Sequence, residues 1–167
     1  GKIVFKDITT VDADPITLTL PESGVEIDEY KWLPFMMNDV MNDHGVYVNT
    51  NIVHPGDRGH TTGTHHGMRR ICQLMLPRYI ADYAHSAKHA IEIIDSMDVY
   101  APANNIDEEC HLMICDKTDS YIVEFVDNAM VVYSNTDARY DSFPNDACLM
   151  TNFYINSWNG EVKTVYG

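Results

Sequence analysis

Between positions 109 and 153 the apolar residues fall in short blocks rather than at helical intervals. Cys110 to Cys115, Tyr121 to Val126 and Met130 to Tyr133 are separated by Asp116-Lys117-Thr118-Asp119 and by Asp127-Asn128. Short apolar blocks bounded by turn-forming residues predict an antiparallel meander. Few polar residues interrupt the blocks, which predicts strands covered on both faces by helices or by a second sheet. A fourth block, Ala147 to Phe153, is expected to pair back onto the meander.

Upstream the pattern changes. Ile3 to Ile8 and Ile16 to Leu20 read as two strands punctuated by Pro15, Pro21 and Gly24, an edge ribbon or a substrate-side flap. The run from Tyr30 to Met41 is rich in aromatics and methionine and suits either core packing or an apolar acyl pocket. Asn42-Asp43-His44-Gly45 makes a turn into a strand from Val46 to Val53. Met68, Ile71, Cys72, Met75, Leu76 and Ile80 recur at helical spacing, with Pro77 expected to kink or restart the helix, so Arg69, Arg70 and Arg78 read as helical. Ser86 is placed to cap a second helix with Ala87, Ala90, Ile91 and Ile94 on one face. Two amphipathic helices should then cover one face of the sheet. Asp95 to Glu109 reads as a connection, residues 135–146 as an exposed acidic loop, and Asn159-Gly160 as a turn of a last hairpin.

Length and charge narrow the partners. The 167 residues suffice for one domain with its own core. A formal net charge of −14 argues against a nucleic-acid partner and against an anionic membrane surface, and solubility alone accounts for the acidity. No apolar run is long enough to span a bilayer, and the first residues show no signal pattern, although a leader removed before Gly1 stays open. Cys72, Cys110, Cys115 and Cys148 lie inside apolar runs, as thiols do in a reducing, cytoplasmic compartment. Cys110 and Cys115 are five apart on one strand, so they point to opposite faces. The loop Pro55 to Gly67 holds His60, His65 and His66, with His54 just before it, but adjacent histidines seldom converge on one ion. Neither a metal nor another cofactor is expected, and the loop lacks the ending of a phosphate cradle.

The candidate chemistry lies in carboxamides. Asn49 and Asn51 are two apart on one strand, so they share a face in an otherwise apolar run. Asn152 ends the fourth block, where its amide could donate to a developing oxyanion. Turn formation is the ordinary reason for an Asn after a strand, and that reading stands beside the functional one.

The segment HLMICDKTDSYIVEFVDNAMVVYSN, with LMTNFY after it, resembles the second sheet of the choloylglycine hydrolase family, linear amide C–N hydrolases that include bile salt hydrolases and penicillin V acylases. MNDHGVYVNTNIV at 41–53 is similar to the family's Asn-Glu-x-Gly-Leu strand, and residues 69–94 look like its helical pair. These matches keep the family's order over roughly residues 35–155. The resemblance implies an α+β fold, the central part of a four-layer αββα sandwich with antiparallel sheets, as in N-terminal nucleophile hydrolases. It implies a small-molecule amide substrate, with oxyanion donors at Asn152 and at Asn51 or Asn49, the Asn51 and Asn152 side chains side by side at the edge of the stacked sheets. The family's nucleophile is an N-terminal Cys, whereas residue 1 here is Gly. The expectation is therefore a single, partial domain over 1–167, an internal fragment without the nucleophile strand and the C-terminal part. Homo-oligomerisation, acyl transfer in place of hydrolysis, and a noncatalytic ligand-binding or assembly role all stay open.

Overall fold

The computed structural model describes residues 37–53, 61–101, 109–136, 148–152 and 154–155. Both strands expected before residue 21, His54, His60, the loop 137–147 and the last hairpin lie outside the described residues. In chain order the elements are β1 (Asp39–Met41), β2 (Tyr47–Val53), β3 (Arg69–Cys72), α1 (Leu76–Tyr83), α2 (Ala87–Asp95), β4 (Met97–Tyr100), β5 (Glu109–Cys115), β6 (Ser120–Val126) and β7 (Ala129–Ser134). Five strands form an antiparallel sheet in the order β1-β2-β5-β6-β7, while β3 and β4 form a parallel pair. The fold is α+β.

Because side chains alternate along a strand, the register sorts the sheet into two faces. Val48 pairs with Ile114 and Leu112 with Val123, so these side chains share one face and bury against Leu76, Ile80, Ala87, Ala90 and Ile94 of the two helices. The opposite face carries Val53, Ile122, Val126 and Tyr133, which pack against Tyr154 and Ile155. Both faces are thus covered, as the uninterrupted apolar blocks require. The β6–β7 hairpin closes through Asp127 and Asn128, at φ 53° and 63°. A two-residue loop with both φ values positive matches the twist of the flanking strands. Cys110 and Cys115 fall on opposite faces, and none of the four cysteines is in a disulfide.

Three expectations are corrected. Residues 69–72 are a strand and not the first turns of a helix, so Arg69 and Arg70 lie on β3, and the helix begins only at Leu76 with Pro77 in its first turn. Met97 to Tyr100, expected within a connection, is β4. It pairs in parallel with β3, Ile71 opposite Val99, through a crossover made of α1 and α2. Spacing alone could not separate a four-residue strand from a helical turn, because Ile71 supplies a core contact in either conformation. The third correction concerns Ala147 to Phe153: its described part, 148–152, contains no strand. Cys148 and Met150 pack onto the sheet face at Ile122 and Tyr133 rather than extending an edge.

Polar side chains fasten the helical layer to the sheet. Asn42, in the β1–β2 turn, accepts from the Val46 amide at 3.0 Å through Oδ1 and donates from Nδ2 to the Ala84 carbonyl at 2.7 Å, beyond the C-terminus of α1. Asp116, in the β5–β6 turn, accepts from the Thr118 and Asp119 amides and the Thr118 hydroxyl through Oδ1. Its Oδ2 accepts from the Ala87 amide at 2.8 Å, at the start of α2, where Ser86 caps the His89 amide. Burial alone would raise the Asp116 carboxyl, but these four donors hold it well below the usual carboxylate range. Asp116→Ala should cost on the order of 1–2 kcal/mol near neutral pH. Since the folded state depresses this group, the difference between wild type and variant is full above the unfolded value and shrinks as pH falls below about 4. Urea unfolding of both proteins between pH 7 and pH 3 reads it directly.

Candidate functional site

The face of the sheet away from the helices carries charge where the core should be apolar. Glu109 and His111 on β5 and Glu124 on β6 are 2%, 0% and 0% exposed. Ionisable groups in such a place need partners, since an unpaired buried charge costs several kcal/mol. His111 Nδ1 lies 3.3 Å from Glu124 Oε1, and the same oxygen accepts from the Ile155 amide at 2.5 Å. Glu109 Oε1 accepts from the Thr61 amide, and Oε2 accepts from the Thr61 hydroxyl and the Tyr154 hydroxyl, each at 3.0 Å. Through these bonds the sheet holds two outside segments, the loop from Thr61 and residues 154–155. Sequence reasoning passed over Glu109, His111, Glu124 and Tyr154. Their signal in the sequence was His111 and Glu124, each a polar residue inside an apolar block, with Glu109 two positions before His111 and so on the same strand face.

The asparagines lie around this row. Asn51 pairs with His111 across β2 and β5, and Val53 with Glu109, so Asn51 shares the face of the buried charges. Asn152 is exposed and donates from Nδ2 to the Ile52 carbonyl at 2.9 Å, which puts it one residue along β2 from Asn51. Asn49 also points to this face, but its amide is engaged: Nδ2 donates to Asp39 Oδ1 at 2.7 Å. The same oxygen accepts from the Tyr47 hydroxyl at 2.5 Å. That hydrogen bond, with burial and the charge of Asp39, pushes the Tyr47 phenol up to about 12. Asn51 and Asn152 therefore belong to one neighbourhood and Asn49 to a separate polar cluster on β1 and β2.

The loop leading from Thr61 borders the face and is tied down at several points. Thr62 donates to Asn128 Oδ1 at 2.8 Å in the β6–β7 turn, and Arg70 NH2 donates to the Thr62 carbonyl at 2.5 Å. Asp98, buried on β4, accepts from the His65 amide at 3.0 Å, with Arg70 Nε 3.7 Å from its other oxygen. A Cβ at Gly63 would sit 2.5 Å from Asp98 Oδ1, so the backbone approaches that carboxylate more closely than any other residue would permit. Among the described residues no group of three or more His, Cys, Asp or Glu side chains could hold a metal ion. Among them, too, no helix is long and apolar enough to cross a membrane.

A family model described as linear amide C–N hydrolases, choloylglycine hydrolase family, matches residues 24–160. The conjugated bile acid hydrolase from Clostridium perfringens, solved as an arginine-to-leucine variant, is similar with a TM-score of 0.51 at 19% identity, over 60% of this chain and 32% of that one. A cysteine-to-alanine mutant of the same enzyme gives a TM-score of 0.50 with the same identity and coverage. Penicillin V acylase from Agrobacterium tumefaciens gives 0.46 at 18% identity, over 60% of this chain and 30% of that one. At this identity the first two likenesses are of fold, and nothing further rests on the third. The chain thus spans about a third of the length of the solved structures it matches. No curated protein matches it in sequence.

The Asp39 cluster makes its own prediction. In an alkaline absorbance titration, subtracting the Tyr47→Phe curve from wild type should isolate one phenol that ionises near pH 12. In Asp39→Asn that phenol should move back toward the ordinary value of about 10.

Proposed function

The chain belongs to the choloylglycine hydrolase family of linear amide C–N hydrolases, and on that premise we propose that it supplies the oxyanion side of an amide-cleaving site, with Asn152 and Asn51 as donors. The observation that carries the reading is the 2.9 Å bond from Asn152 Nδ2 to the Ile52 carbonyl. A primary amide has two N–H groups, and holding one on a strand carbonyl fixes the plane of the other. A donor oriented before the reaction stabilises the charge that develops on the substrate carbonyl oxygen without reorganising at that moment. Asn51, next to Ile52, is the proposed second donor.

The attacking group is proposed to be none of the four cysteines. A thiol attacks as its thiolate, and burial pushes the Cys72 and Cys115 thiols up. Cys110 is buried on the helix-covered face, and Cys148 donates weakly to the Ser120 carbonyl at 3.7 Å. The proposed nucleophile is a mature N-terminal cysteine thiol, its own α-amine taking the proton at an ordinary pKa of about 7.7–8.0. These 167 residues do not include one at their start, where Gly1 stands. The proposed substrate is a small molecule in which an acyl group joins an amine by a linear amide, such as a conjugated bile acid.

The 167-residue chain alone should therefore leave glycine-conjugated bile salts and penicillin V intact. The same compounds should shift the side-chain amide resonances of Asn51 and Asn152, and Asn152→Ala should weaken their binding. Turnover by the chain itself would overturn the exclusion of its cysteines. Unmoved resonances at both asparagines under saturating ligand would remove the amide-site reading.

A further inference from the structure

We infer that Glu124, with His111, is a positioning residue for Asn152, a role that rests on the reading of Asn152 as an oxyanion donor. Asn152 belongs to no strand among the described residues, so no ladder sets its place. Two bonds span its segment instead. At one end Asn152 Nδ2 holds the Ile52 carbonyl on β2, and three residues later the Ile155 amide donates to Glu124 Oε1 on β6. Between them, Tyr154 donates to Glu109 Oε2 on β5. The segment 152–155 is thereby fastened across three neighbouring strands of the sheet.

The central fastening is the one that a core would not otherwise contain. Ile155 is 2% exposed and packs on Ile122 and Tyr133, which an apolar residue at position 124 would serve equally well. A carboxylate there instead accepts from both a backbone amide and an imidazole. His111 completes it: with the proton on Nδ1 facing Glu124, the ring orients the carboxylate and leaves Nε2, which has no hydrogen-bond partner among the described residues, as a bare lone pair. An orphaned acceptor of this kind is tolerated more readily than an orphaned donor. His111 also stands opposite Asn51, so one member of the pair lies beside the second proposed donor while the other holds the segment that carries the first.

Hydrogen exchange and side-chain amide spectra of the whole chain test the inference without requiring turnover. Glu124→Gln keeps an acceptor oxygen and should preserve protection of the Ile155 amide and the Asn152 side-chain resonances. Replacing both partners, His111→Leu with Glu124→Leu, leaves no unpaired charge in the core. It should speed exchange at Ile155 at least tenfold and move the Asn152 resonances to solvent values, while Leu112 and Val123 amides in the sheet stay protected. Asn152 unchanged in the double variant would overturn the inference. So would equal loss of protection at Ile155 and Leu112, or outright unfolding, because the pair would then be core support and nothing more. These outcomes are independent of whether amide ligands bind, so this inference and the hydrolase reading can fail separately.

Discussion

Two carboxylates buried on one face of an antiparallel sheet set the terms for everything placed over that face. Glu109 and Glu124 have almost no solvent contact, and only donors brought to them from elsewhere in the chain make their burial tolerable. Thr61, Tyr154, Ile155 and His111 are among those donors. The apolar neighbours Ile122, Tyr133, Val53 and Val126 would accept many segments in many poses, but the carboxylates accept only one arrangement of N–H and O–H groups. Dispersion and burial supply adhesion there, and the hydrogen bonds supply position.

The opposite face works differently. Val48, Leu112, Ile114, Val123 and Phe125 meet the helices through apolar contact, and the polar ties include Gln73, which accepts from the Cys110 amide at 2.9 Å just before α1, and two turns at the layer's ends. Asn42 reaches the carbonyls that end α1, and Asp116 reaches the amide that begins α2. Both come from tight turns between strands, so each helix is held relative to the sheet by a turn whose own geometry is fixed. One face is thus a structural layer locked at its rim, whereas the other is locked at its centre and carries the asparagines of the candidate site.

This division explains which parts were legible from the chain. The meander was readable because apolar blocks and turn residues alternate, and the turn at Asp127-Asn128 has the φ values its residue types permit. The second helix was readable because Ser86 and its apolar face act locally. Arg69–Cys72 was misread because a short parallel strand owes its conformation to a partner some 28 residues away, and Met97–Tyr100 went unread for the same reason. The segment at 148–152 was misread as a strand because Cys148, Leu149 and Met150 have a strand's composition. Their burial is used against a sheet face instead.

By itself the sequence determined the strands with strong local signals, the capped helix, the covering of both sheet faces and the resemblance that pointed to amide chemistry, because each of these rests on periodicity or on residue types within a few positions. The tertiary structure decided where each asparagine lies and what it bonds. Asn49 and Asn51 are equivalent in spacing, yet pairing with β1 gives Asn49 to Asp39, while pairing with β5 sets Asn51 beside His111. Asn152 meets β2 in a segment whose following residues Tyr154 and Ile155 are bonded to Glu109 and Glu124, more than twenty residues earlier. A hydrogen bond between residues 100 positions apart leaves no periodic trace in a chain. It exists only once the sheet has closed and its buried charges have found their donors.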